Sequence, residues 1–124
     1  CYCGKEGCME TYVSGPGFTN GFNLRYGKEF DSHQIIEELN NNNQNAIDAV
    51  GQYIDHLARG LSLVCNILDP DIIILGGGMS NIPYIYQHIN ESLKKYIFSD
   101  TFDTKVVRNI HGDSGGVRGA AWLS

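Results

Sequence analysis

The chain has 124 residues, 42% hydrophobic and 19% charged, the composition of a globular chain that can bury one modest core, so one domain is expected. Its formal net charge of -5 at pH 7 removes the usual attraction for a phosphate backbone or an anionic bilayer, and direct nucleic-acid binding by this segment is not expected. No apolar stretch has the length of a membrane span and no N-terminal run has the charged-then-apolar grammar of a secretion signal, which reads as a soluble chain with no membrane partner.

The chain opens on Cys1 rather than methionine, which reads as a piece of a longer protein. Three of its four cysteines lie in the first eight residues as Cys1-x-Cys3-x4-Cys8, with Gly4 and Gly7 between them. That spacing brings three thiolates within reach of one tetrahedral ion, and the glycines let the backbone wrap. A closed structural site needs a fourth ligand, and His33, His56, His88 and His111 each belong to a segment that already reads as a helix or a turn. The fourth ligand is therefore expected upstream of Cys1, and the first eight residues are the part of this chain expected to be disordered or metal-free. On spacing alone, free thiols and a disulfide stay open beside zinc. Glu10 follows the last loop cysteine by two residues, so a pinned loop would fix its carboxylate; by itself a solvated first-turn glutamate is the plainer reading.

Thr11, Tyr12 and Val13 read as one or two helical turns, punctuated by Gly15-Pro16-Gly17. Phe18, Phe22 and Tyr26 recur every four residues, the spacing of one helical face packed in a core. Asp31 or Ser32 can cap a helix to about Leu39 with Ile35, Ile36 and Leu39 inward, and the Asn40 to Asn43 run ends it. Ile47, Val50, Ile54, Leu57, Leu61, Val64, Cys65 and Leu68 then predict a long amphipathic helix, in which Cys65 is a small buried hydrophobe. Asp69-Pro70 stops it.

Asp71 to Leu75 is an unbroken branched run, the pattern of a strand covered on both faces in a parallel sheet. Gly76, Gly77 and Gly78 end it. Ser80 or Asn81 can cap the next helix, with Pro83 in its first turn and Ile85, Ile89, Leu93 and Ile97 along its buried side. A second strand around Lys105 to Asn109 completes a strand-helix-strand unit, and a second glycine cluster from Gly112 to Gly119 leads into a final helix with small residues. A strand, three glycines and a helix are a place where a nucleotide can approach the backbone, although the spacing is neither a Walker loop nor the dinucleotide fingerprint and a purely structural turn remains open.

Taken together, Cys1-Tyr2-Cys3-Gly4-Lys5-Glu6-Gly7-Cys8-Met9-Glu10-Thr11 with Ser14-Gly15, Leu68-Asp69-Pro70-Asp71 through Gly78-Met79-Ser80, and Gly112-Asp113-Ser114 through Gly119-Ala120-Ala121 resemble the ROK family of bacterial sugar kinases and repressors. The resemblance spans nearly the whole chain. It is nearest to the fructokinase and mannokinase branch in Asn66 to Asp71, Gly78 to Asn81 and His111 to Ser114, with N-acetylglucosamine kinases a close second.

What the resemblance implies is an α/β chain, the C-terminal lobe (residues 1–124) of an actin-like, ribonuclease H-like ATPase fold, with a parallel strand-helix-strand unit and a long packing helix. It implies a zinc loop over 1–10 in which Cys1, Cys3 and Cys8 match zinc ligands whose fourth member is an upstream histidine. Glu10 matches a glutamate that hydrogen-bonds sugar hydroxyls. Gly76, Gly77 and Gly78, in a nucleotide-facing segment over 71–80, match a turn against the ATP adenosine and phosphates. The implied parent is a cytoplasmic kinase that uses ATP and Mg2+ to phosphorylate a hexose, with fructose or mannose at the 6-hydroxyl first, and homodimerisation is a further expectation. The family's phosphate loop and its catalytic aspartate have no counterpart here, so no catalytic residue is assigned and the chain alone is expected to be inactive. The alternative of another class is the effector domain of a ROK transcriptional repressor, whose relatives share the cysteine loop but carry a helix-turn-helix domain upstream.

Overall fold

The computed structural model describes residues 1–112 and 115–123. Over these residues the chain runs through α1 (Glu10–Val13), α2 (Gly15–Tyr26), α3 (Ser32–Asn40), α4 (Gln44–Leu68), β1 (Ile72–Leu75), a 3₁₀ turn (Gly78–Asn81), α5 (Pro83–Lys94), β2 (Lys105–Arg108) and α6 (Gly115–Trp122). Asp113 and Ser114 of the second glycine motif lie outside the described residues.

Local chemistry accounts for most of the boundaries. The Ser14 hydroxyl accepts from the Gly17 amide and caps α2, which ends at Gly27 in the left-handed region, φ 62°. Asp31 and Gln34 form a reciprocal capping box at the start of α3, with bonds of 2.8 and 2.9 Å, so Asp31 rather than Ser32 is the cap. Asn43 caps α4 through the Asn45 amide, and Asp69 closes it at φ 44° directly before Pro70. The start of α5 differs from expectation. Ser80 and Asn81 are taken up by the 3₁₀ turn, where the Ser80 hydroxyl donates back to the Gly77 carbonyl at 2.6 Å and Asn81 accepts from Arg108 at 2.6 Å. The N-cap is instead Ile82, with no side-chain bond, and Pro83 supplies the pre-set helical φ.

The core forms where α4 meets α5, with α2 and α3 packed beside it: Phe18, Phe22, Ile35, Val50, Ile54, Ile85, Ile89 and Leu93 belong to one buried cluster. On α4 the buried line also takes in Tyr53 and the small residues Ala46, Ala49, Ala58 and Ser62, which let neighbouring elements approach its backbone. Val64 and Leu68, expected inward, are 41% and 71% exposed, because the buried line runs through Ser62 and Cys65 at that end of the helix.

The two strands are parallel, Ile72 opposite Lys105 through Leu75 opposite Arg108, and α5 is the connection between them. Among the described residues, only one face of β1 is covered. Ile73 and Leu75 pack on the core, whereas Ile72 and Ile74 are 55% and 65% exposed, since the described helices pack their apolar sides into a core on the other face. Beyond α5, Tyr96 is tied to α4: its hydroxyl donates to Asp55 at 2.6 Å and receives Arg59 Nε at 3.1 Å. That Tyr96 bond, followed by the Arg59 charge, holds the Asp55 carboxyl below its ordinary value.

Candidate functional site

Two glycine turns shape the cysteine loop. Gly4 and Gly7 take φ of 78° and 69°, conformations that L side chains rarely adopt, and the Gly4 amide bonds the Cys1 carbonyl at 3.0 Å. These turns gather the thiols. Cys3 Sγ lies 3.3 Å from Cys1 Sγ and 3.4 Å from Cys8 Sγ, and all three sulfurs are within 4.8 Å of one another. Sulfurs around a tetrahedral zinc stand ~3.8 Å apart, so the three donors are already spaced close to what such an ion requires. A hydrogen bond from the Lys5 backbone, and then one from Cys8, holds the Cys3 thiol below its ordinary value. The described cysteines are all free thiols. Cys65 is buried in α4, away from this group, and burial pushes its thiol up.

From the loop the chain enters α1. The Thr11 hydroxyl and amide both donate to the Cys8 carbonyl, at 2.7 and 3.0 Å, joining helix to loop. Glu10 is the first residue of α1, exposed, directly after the loop and before the Ser14-Gly15 turn. Behind the loop a cavity of about 540 Å³ lies against α4, lined by Gly7, Met9, Tyr12, His56, Arg59 and Gly60 among others.

The triple-glycine turn follows β1. Gly77 has φ 81° and ψ 176°, a combination essentially confined to glycine, and no neighbouring atom lies within 4 Å of where a Gly77 or Gly78 Cβ would point. The turn therefore presents bare backbone to open space. A cavity of about 280 Å³ is lined on one side by Gly76, Gly77, Gly78 and Met79 and on the other by Val13, Ser14 and Gly15, with Tyr53 and Leu57 of α4 at its base. Met79 reaches across it, its Cγ 3.8 Å from the Cβ position of Gly15.

Thus the tertiary structure brings Ser14-Gly15 and Gly76-Gly77-Gly78 into one cavity. Glu10 does not line it; it stands three residues earlier, at the other end of α1. Asn109, which sequence reasoning did not single out, links the two glycine clusters. Its side chain accepts from the His111 amide at 2.8 Å and donates to the Gly112 carbonyl at 3.0 Å. The same amide nitrogen lies 2.6 Å from the Cβ position of Gly115 and 3.9 Å from that of Gly76. An asparagine between a strand and a glycine turn was the available signal.

Comparison with known proteins bears on what this arrangement does. The ROK family model matches residues 1–124. An N-acetyl-D-glucosamine kinase of Vibrio atlanticus is 37% identical over 124 residues, covering 100% of this chain and 41% of that protein. Among solved structures, a ROK family glucokinase from Streptomyces griseus in complex with glucose and AMPPNP superposes with a TM-score of 0.87 at 22% identity, over 100% of this chain and 46% of that one. A ROK family transcriptional regulator superposes with a TM-score of 0.74 at 22% identity, over 87% of this chain and 30% of that one. The chain spans about two fifths of the length of the curated relatives it matches. Among the described residues no helix is long and apolar enough to cross a membrane.

Proposed function

The chain belongs to the ROK family, with the α/β architecture of an actin-like ATPase lobe, and from that premise we propose that the protein carrying it is an ATP-dependent sugar kinase. The observation that carries the proposal is the cavity in which the bare Gly76-Gly77-Gly78 backbone faces the Ser14-Gly15 turn, immediately beyond the helix of Glu10. Glycines there let adenosine and phosphates approach the main chain, as Mg2+-bound ATP requires. Glu10 accepts hydrogen bonds from sugar hydroxyls. The γ-phosphoryl group passes to a sugar hydroxyl oxygen, ADP leaves, and the hydroxyl proton goes to a base that no residue of this chain is assigned to supply.

Cys1, Cys3 and Cys8 are the proposed ligands of a structural zinc, whose fourth ligand lies outside this chain; the convergence of the three sulfurs supports this. When bound, the ion supplies rigidity to the loop that leads into Glu10. For the sugar, the named relatives favour N-acetyl-D-glucosamine, while the likeness of the 66–71 and 78–81 segments to fructokinases favours fructose or mannose at the 6-hydroxyl.

The test is steady-state release of ADP by the full-length protein with MgATP and, in turn, N-acetyl-D-glucosamine, glucose, mannose and fructose. Saturable turnover of at least one is expected. Glu10→Gln should raise the KM of the best sugar by about tenfold or more with the ATP KM nearly unchanged, because the charge is lost and one of the two acceptor oxygens offered to the sugar hydroxyls becomes an amide donor. A second reading, the effector domain of a transcriptional regulator, is supported by the superposition with one; sugar binding by calorimetry with no ADP release would decide for it. Neither binding nor turnover with any of the four would sink both.

A further inference from the structure

Resting on the reading of Glu10 as the sugar-binding carboxylate, we infer that Gly17 and Gly60 are positioning residues for it, setting where α1 sits. α1 has only four residues and buries none of them, and so short a helix has no stability of its own. What holds it comes from α2 and α4. A Cβ on Gly17 would overlap the Thr11 carbonyl oxygen and lie 2.7 Å from its carbon and 3.1 Å from the Glu10 carbonyl oxygen. A Cβ on Gly60 would lie 3.0 Å from both Cε and Sδ of Met9. Tyr53 adds a hydrogen bond to the Val13 carbonyl at 3.1 Å, and Tyr12 meets His56 edge-on with ring centres 5.0 Å apart.

Both glycines are inside helices and neither has a positive φ, so glycine is not required there for its conformational freedom. The requirement is space, and the intruder in each case belongs to the segment that presents Glu10. The two sites differ in what can yield. Gly17 faces rigid backbone, and its own helix is anchored in the core by Phe18 and Phe22. An added methyl group there is relieved by displacing α1, and Glu10 with it. Gly60 faces the flexible end of Met9, which can shift by a few tenths of an ångström. Neither glycine lines the triple-glycine cavity, which α1 meets only at its far end through Val13, whereas the backbone that a Gly17 methyl meets is that of Glu10 and Thr11, so the larger consequence falls on the sugar.

In the full-length protein Gly17→Ala is therefore expected to raise the KM of the best sugar of the four by about tenfold or more, with the ATP KM within about twofold, since displacement of a binding group by ~1 Å suffices. Gly60→Ala should raise it less, and Met9→Ala added to Gly60→Ala, removing both crowded atoms, should restore it. That rescue separates positioning from a general loss of stability. An unchanged sugar KM in Gly17→Ala, or parallel loss of sugar and ATP affinity, overturns the inference. If Gly17→Ala does not fold, Gly60→Ala decides: an unchanged sugar KM, or no recovery with Met9→Ala, overturns it equally. Glu10→Gln is measured alongside. No effect there removes the premise and the inference with it, whereas an effect at Glu10 and none at either glycine refutes the positioning alone.

Discussion

Tyr53 shows how one side chain joins the core to the candidate site. Its ring packs edge-on against Phe18, 5.6 Å between centres, while its hydroxyl donates to the Val13 carbonyl at the end of α1, so a buried aromatic satisfies its polar tip on the segment that most needs holding. Burial pushes its phenol up to about 12 from an ordinary 10.0. A raised folded-state value means that the contribution to stability is whole below pH 10 and is lost as pH rises from there through about 12. Denaturant unfolding at rising pH should show stability falling over that window. Tyr53→Phe should flatten the fall, leaving the smaller shares of Tyr86 and Cys65, whose phenol and thiol burial also raises. At neutral pH the same variant should cost about 1 kcal/mol, the net worth of one hydrogen bond. An alkaline fall of undiminished size in Tyr53→Phe would show that other groups carry it. Tyr53 passed unnoticed among the apolar positions of its helix because its role depends on a carbonyl forty residues away, which no local pattern contains.

The cysteine loop is an element whose own sequence specifies most of its shape. Two glycines at positive φ and three thiols at fixed spacing bring the sulfurs together without help from the core, which is why the loop was recognisable from eight residues. The turns close on their own backbone bonds and Thr11 ties the loop to α1. If zinc is held there, the purified full-length protein should contain about one zinc per chain by elemental analysis, and Cys8→Ser should lose most of it while raising the sugar KM more than the ATP KM. A zinc content unaffected by Cys8→Ser would exclude the loop as the site. The start of α5 teaches the reverse. Ser80 and Asn81 are good capping residues, yet the 3₁₀ turn consumes both, and the choice between cap and turn was made by Arg108 and the Gly77 carbonyl.

Among the described residues, the two-stranded sheet has one bare face, apolar on β1. Ile72 and Ile74 alternate with Ile73 and Leu75, so the pleat sends one pair to the core and the other to open space. The 124-residue chain by itself should bind the dye ANS, and Ile72→Thr with Ile74→Thr should reduce that binding without lowering the melting temperature, since threonine keeps strand propensity and neither residue is in the core. Dye binding unchanged by the pair would mean that other surface is responsible. Periodicity and turn residues determined the helices and the order of the elements, because each depends on neighbours within a few residues, and the parallel strand-helix-strand unit followed from one helix standing between two strands. Short motifs, the cysteine loop and the triple glycine among them, were visible for the same reason. What only the tertiary structure decided was which faces are covered and which motifs meet: that β1 is buried on one side, that α4 hides alanines and Ser62 rather than Val64 and Leu68, and that Ser14-Gly15 shares a cavity with Gly76-Gly77-Gly78. Those outcomes depend on contacts between segments some sixty residues apart, where the spacing of residues along the chain says nothing about distance.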